Sequence, residues 1–365
     1  MNNNQITSRR PFGRFIIFAC VISLALILIG GTIFTIALAR VDFNFRSLDN
    51  EELTASHMYT YETVDRIELN GSSWRYRIEM GEYFSINYFT SSIVTITATK
   101  VSNARGNYTF RLEENRDGNW FVNNVGFGIN GIRRSDEDYL IVITIANPVA
   151  VEINGSATRV TTEGLDFNGF EINGSSVRIN LTDVNIWGNL DVSGSNMNMN
   201  LTRVTAHRIT TNGSASNLIF NDVEVSGNVS TTGSSTRINW TSGNSDRFIA
   251  SGSSVRMDLD QVVVRSVSMT GANNHITTKR SDMSSLAIIG SSARATLELV
   301  GSIEMIRQVN ITGSAGRIYF SGVRHSAQNW ANITDRENSF KTFSITGSSG
   351  RIRLNMLGGE STFNQ

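Results

Sequence analysis

A glycine followed by a small residue recurs eleven times in this chain, at Gly71, Gly155, Gly174, Gly194, Gly213, Gly233, Gly252, Gly271, Gly290, Gly313 and Gly347. Between Gly155 and Gly290 the intervals are 19, 20, 19, 20, 19, 19 and 19 residues. Such regularity is a structural period, and a repeat of this kind decides the fold before any local propensity does. Four residues before the glycines stand Ile67, Val151, Phe170, Leu190, Ile209, Val229, Phe248, Val267, Leu286, Val309 and Phe343, apolar in every unit. Five residues after them the column is again mostly apolar, as in Val160, Ile179, Leu218 and Ile238, and a third apolar pair follows, as in Val184 and Ile186.

Between these columns polar and apolar residues alternate, the two-residue period of strands with one face buried. Each unit therefore holds about three short strands and three corners. A unit of 19 residues cannot bury its own apolar face and must stack on its neighbours. The expected fold is all-β: a parallel β-solenoid with coils of about 19 residues, on the order of 45 to 50 Å long for some ten coils at the strand spacing. The rival architecture is a β-sandwich or propeller, which also places turn signals about every 8 to 12 residues, and a propeller, with repeats of about 40 residues and aromatic signatures, fits less well. Glycine at the corner is expected to supply positive φ, with the small residue after it permitting tight stacking.

The rest of the chain divides around this repeat. Residues 15–39, "FIIFACVISLALILIGGTIFTIALA", carry no charge and exceed the roughly 20 residues a helix needs to cross a bilayer. Arg9, Arg10 and Arg14 precede the run and Arg40 and Arg46 follow it. This places tail 1–14 in the cytoplasm and the bulk of the chain outside a cell membrane, on a single-pass anchor. A signal peptide cleaved after "ALA" at Ala37 to Ala39 is the rival reading. Residues 40–66 read as a linker and the start of the β region. Residues 67–150 read as a membrane-proximal β segment, with strands "YFSINY", "IVTITATK", "YTFRLEE", "WFVNN" and "YLIVITIA", and act as a cap. Residues 151–365 carry the repeats, and an insertion near 323–342 is expected to leave the stack as a loop or short helix, with His325, Trp330 and Arg336 as a candidate partner loop.

The spanning segment, the "VDFNF" linker, "ETVDRIELNGSSWRYRIEMGEYFSINY", "YLIVITIANPVAVEINGSATRV" and the Gly-Ser units together resemble a bacterial family of proposed adhesins. That family includes Lia-type envelope proteins and is similar in its coils to the head GIN domain of auto-transporter adhesins. The resemblance implies a β-solenoid exposed at the cell envelope, and it supplies no catalytic residues.

Four residues after the glycines, eight units carry arginine: Arg75, Arg159, Arg178, Arg237, Arg256, Arg294, Arg317 and Arg351, with Asn198, Asn217 and His275 in the other three. Strand alternation turns this column outward. Arginine forks repeated at the strand spacing suit a linear polyanion, such as a cell-wall polymer or acidic glycan, because each pairs bidentately with phosphate or carboxylate. The alternative is a solvated ladder whose stems cover apolar surface, neutralised by Glu68, Glu152, Glu171 and Asp191 across a corner.

Catalysis is disfavoured. His57, His207, His275 and His325 show no metal-binding spacing, and no G-x-S-x-G elbow occurs. The outward acids Asp183, Asp222, Asp258 and Asp260 do not form the facing pair of a glycosidase. The acids at Asp136 to Asp138 lack the alternation of a calcium loop. No cofactor or metal is expected. The one cysteine, Cys20, excludes a disulfide framework, and equal counts of 32 basic and 32 acidic residues argue against nucleic acid. The function expected is a membrane-anchored surface adhesin or envelope-polymer-binding scaffold. The alternative is an accessory of envelope-stress signalling that contacts another envelope protein, and a polysaccharide-cleaving enzyme is the least favoured reading.

Overall fold

A computed structural model describes residues 54–60, 63–72, 74–90, 94–102, 108–116, 140–301, 305–312, 317–320, 323–325, 329–331 and 340–357. The expected membrane span 15–39, the strand "WFVNN" and the acids at 136–138 lie outside them. All described residues belong to one compact unit. It is all-β, with no α-helix among the described residues, and its mostly parallel sheet of long repeated strands is consistent with a solenoid.

Strands β1 (Thr54–Thr60), β2 (Arg66–Asn70), β3 (Arg75–Met80), β4 (Phe84–Thr90), β5 (Val94–Ser102), β6 (Tyr108–Arg116) and β7 (Leu140–Ile145) come from the irregular segment. The repeats follow in β8 (Val149–Glu163), β9 (Asp166–Asn212), β10 (Ala215–Thr232), β11 (Ser235–Ser251), β12 (Ser254–Thr270), β13 (Asn273–Ile289) and β14 (Ser292–Val300). After these come β15 (Ile306–Thr312), β16 (Arg317–Phe320), β17 (Val323–His325), β18 (Asn329–Ala331), β19 (Lys341–Thr346) and β20 (Ser349–Leu357).

Successive units pair in parallel with equivalent residues opposite one another. Val151 faces Phe170, Val229 faces Ile209 on one side and Phe248 on the other, and Val267 faces Leu286. This register keeps every apolar column inside. Phe170, Ile209, Val229, Phe248 and Phe343 are all at most 2% exposed, each worth about 1.5–3 kcal/mol of burial. Trp240 fills the middle of the core, with ring centroids 5.7 Å from Phe220 and 6.0 Å from Phe248. Its indole N–H donates to the carbonyl of Ser242 at 2.9 Å, so its one polar atom is not left unpaired.

The glycine column has a different cause from the one the sequence suggests. Gly155, Gly174, Gly194, Gly213, Gly233, Gly252, Gly290 and Gly347 do not have positive φ. Instead, a Cβ on Gly252 would stand 1.8 Å from the carbonyl oxygen of Gly233, and one on Gly347 1.6 Å from that of Gly290. Neighbouring backbones pass too closely for any side chain. Gly271 alone of the column's described glycines has positive φ, and left-handed backbone recurs instead at another corner, nine residues further on in seven units, at Gly164, Asp183, Arg203, Asp222, Ser242, Gln261 and Arg280.

Two departures from sequence order occur, one at each end. Near the start, β2 and β3 stack directly on β8, while β6 and β7 return to lie on their far side. Antiparallel pairs β5–β6, β4–β7 and β1–β4 then finish that end. Near the carboxyl end, β19 and β20 pair with β13 and β14 and also with β15 and β16. The last unit in sequence is therefore inserted between two earlier ones. The segment expected to leave as a loop or short helix forms β17 and β18, which pair antiparallel with β16 and β15. A parallel strand would need a crossover, whereas a tight reversal lets a short strand cover the open edge at once.

Candidate functional site

The arginine column lies where alternation places it, between buried neighbours and outside the core. Arg178, Arg237, Arg256, Arg294 and Arg317 are exposed, and Arg159 and Arg351 are half-buried. Arg75 pairs in register with Arg159 and Arg159 with Arg178. These three and Asn198 line a cleft of about 390 Å3. Asn217 follows Asn198, then Arg237, Arg256, His275 and Arg294.

Beyond Arg294 the spatial order departs from the chain order. Arg351 sits beside Arg294, and Arg317 beside Arg351. The insertion of β20 thus gathers three guanidinium groups that the sequence holds far apart. Tyr319 contacts two neighbouring cations through its ring, with Arg351 at 5.9 Å and Arg353 at 5.5 Å, which restrains side chains that would otherwise be mobile.

Two of the acids expected to neutralise this column, Glu68 and Glu152, serve other cations, and Glu171 accepts from Asn173. Glu68 accepts from Arg66 at 3.1 Å and from Arg111 at 2.8 Å, and Glu152 accepts from Arg66 and from Asn154. The Asn154 hydrogen bond, against the effect of burial, and Arg66 hold the Glu152 carboxyl below the usual range. These acids stand three residues before the glycine and face a different side of the corner, occupied by an asparagine ladder. There Asn154 donates to Asn70 and Asn173 to Asn154, each at 3.1 Å. Among the described residues Arg178, Arg237 and Arg294 form no ion pair, and Arg256 has only Asp258 at 3.7 Å.

His275 is the titratable member of the column. Burial first, then the guanidinium groups of Arg256 and Arg294, lower its pKa, while Asp258 acts in the opposite direction. Its Nε2 lies 3.2 Å from the Thr277 hydroxyl.

A separate charged row was missed in the sequence. At the positive-φ corners Arg203 makes a forked contact with Asp183, including Nη2 to Oδ2 at 2.7 Å, and the Ser242 hydroxyl donates to Asp222 at 3.3 Å. Arg280 reaches Asp260 at 2.9 Å and Arg265 reaches Asp246 at 2.7 Å. Asp183 and Asp222 could have signalled it, since aspartate tolerates left-handed backbone, but Arg, Ser and Gln in the same column hide the pattern. These cations are occupied within the protein.

Of the candidate partner loop, His325 lies on β17 opposite Ile318 and Trp330 on β18 opposite Val309, so they belong to different strands. Arg336 lies outside the described residues. Among the described residues no group of His, Cys, Asp and Glu is placed to hold a metal.

No family model matches the chain, and no curated protein matches it. Similar solved structures include a candidate cell adhesion protein from Clostridium sporogenes, at 10% identity and TM-score 0.20, covering 84% of this chain and 100% of that one. A candidate adhesin from Parabacteroides merdae is 13% identical, with TM-score 0.34 and coverage of 85% and 98%. Another, from Bacteroides fragilis, is 11% identical, with TM-score 0.31 and coverage of 83% and 97%.

Proposed function

We propose that this chain is an envelope-anchored adhesin or scaffold that binds a linear polyanion along its arginine column and performs no catalysis. The observation that carries this reading is the lack, among the described residues, of ion pairs at Arg178, Arg237 and Arg294, although Asp183, Asp246 and Asp260 elsewhere on the repeats are paired. Exposed guanidinium groups repeated at the spacing of β-strands can each meet a charge in a second row, and the gain must exceed the side-chain freedom each loses on binding. The apolar segment 15–39 would anchor the protein, with the repeats on the outer side of the membrane.

The test uses the full-length chain in nanodiscs of zwitterionic lipid, titrated with teichoic acid and with an acidic glycan at low and high salt. Binding should weaken with salt and fall at least about tenfold, some 1.4 kcal/mol, when Arg178, Arg237 and Arg256 are together replaced by Gln. Affinity insensitive to both changes would overturn the reading.

A further inference from the structure

In the cleft of about 390 Å3, arginines from three successive strands meet a common hollow: Arg75 on β3, Arg159 on β8 and Arg178 on β9 stand in register. Its floor is made by the inward side chains of the preceding column, Trp74, Thr158 and Val177, all at most 4% exposed. Two positions before the arginines, the outward residues Ala157 and Ser176 are too short to fill the space beside them, and the hollow follows. Arg75 and Arg159 are half-buried and Arg178 is exposed, so two of the three side chains are already restrained by their neighbours.

The positive charge here is bounded. On one side β7 places Leu140 opposite Arg75, and on the other the column continues as Asn198 and Asn217. Asn198, which lines the cleft, accepts through Oδ1 from Asn217 at 3.5 Å, which leaves its amide hydrogens to donate elsewhere. Arg77, two residues past Arg75, is matched by Glu79 at 3.8 Å. Among the described residues no Asp or Glu lines the cleft, although like charges on facing residues repel.

We infer that this cleft binds a single phosphomonoester group, the dianion that ends a phosphorylated sugar, polyol or lipid. The inference rests on the cleft's own geometry and goes beyond the polyanion reading, since one small anion needs neither a polymer nor Arg237 and Arg256. A phosphomonoester carries about −1.5 to −2 charges at neutral pH and presents three acceptor oxygens. Parallel strands lie about 4.7–4.9 Å apart, so an anion over Arg159 is one spacing from each outer arginine, a gap that the long stems close by bending inward. Each oxygen then faces a different guanidinium, and the amides of Asn196 and Asn198 and the hydroxyl of Ser176 supply further donors. A carboxylate has two oxygens in one plane and satisfies a single fork, which leaves two of the three arginines unmatched.

The full-length chain in zwitterionic nanodiscs is titrated calorimetrically at low salt and about pH 7.5 with inorganic phosphate, with glycerol phosphate and with malonate, a dicarboxylate of similar charge. Both phosphates should bind with a Kd of about 1 mM or tighter, and malonate at least about tenfold more weakly. Arg159→Gln should weaken phosphate at least about tenfold. Asn198→Asp, at an exposed position that adds a negative charge without touching the core, should weaken it as much. Arg208→Gln, an exposed cation off the column, should leave it unchanged. Nanodiscs of phosphatidic acid, set against phosphatidylglycerol matched in charge, separate the sources. A lipid headgroup in the cleft lowers the apparent affinity for glycerol phosphate only in the former, whereas equal affinity in both assigns the cleft to phosphate borne outside the membrane. No phosphate binding, malonate binding as tight as phosphate, or Arg208→Gln weakening it as much as Arg159→Gln overturns the inference and leaves the polyanion reading standing. Polymer affinity insensitive to salt, with phosphate binding lost only in the cleft variants, overturns that reading and leaves this one.

Discussion

Gly252 is fixed by a neighbour's backbone: the position a Cβ would take is 1.8 Å from the Gly233 carbonyl oxygen. Gly252→Ala should therefore destabilise the chain by about 3 kcal/mol, at the upper end of overpacking costs. Gly169→Ala, where the nearest atom is 3.9 Å away, should change stability by no more than about 0.5 kcal/mol. Urea unfolding of the two variants checks the pair. His275 makes a second residue-scale prediction. Its pKa is lowered in the folded chain by burial and by Arg256 and Arg294, so the unfolded chain binds a proton more readily. Stability should fall as pH drops through the unfolded value of about 6.5 and level off once the folded imidazole also protonates. Urea midpoints at about pH 7.5 and about pH 5.5 should differ less in His275→Asn, which mimics the Asn198 and Asn217 positions. An unchanged difference would show that His275 is not the group responsible.

Strand β19 occupies its slot with help from a lysine. Lys341 is 1% exposed at its side chain, whereas its partner Asp282 is 46% exposed, and Lys341 Nζ also donates to the Met283 carbonyl at 3.1 Å. The asymmetry gives unequal costs. Asp282→Ala strands a buried ammonium and should cost about 3–5 kcal/mol, while Lys341→Met leaves an acid that water can solvate and should cost about 1 kcal/mol or less. Equal thermal shifts would contradict this account. Most of such elements can be read in the sequence as columns: Phe170, Val229 and Phe343 announce their place in the core, and Arg178 and Arg237 their outward direction. What a column does not encode is layer. The parallel register is the same for every unit, so Phe343 fits beside Leu286 or beside Val309, and in fact pairs with both. For the same reason the sequence concealed that Arg351 stands between Arg294 and Arg317.

At the scale of the whole described unit, both ends are finished by the chain's own returning segments: β5, β6, β4 and β7 at one, β17 and β18 at the other. The inserted unit is bonded to both neighbours. The Gly290 amide donates to Thr346, and the Gly347 amide donates to Thr312, each at 2.9 Å. A chain truncated after Asn338 should expose the Gly290 amide to exchange at least about tenfold faster while that of Gly233, bonded to Ser251, keeps its protection. Loss of protection at both would mean the stack behaves as a single cooperative block. The interleaved tail also limits how such a protein can evolve new lengths. A unit appended after Leu357 would meet a place already filled, whereas a duplication between Gly155 and Gly290 leaves both closures intact and adds one more layer to the stack. Descendants of this architecture are expected to grow from the middle, with their ends inherited unchanged.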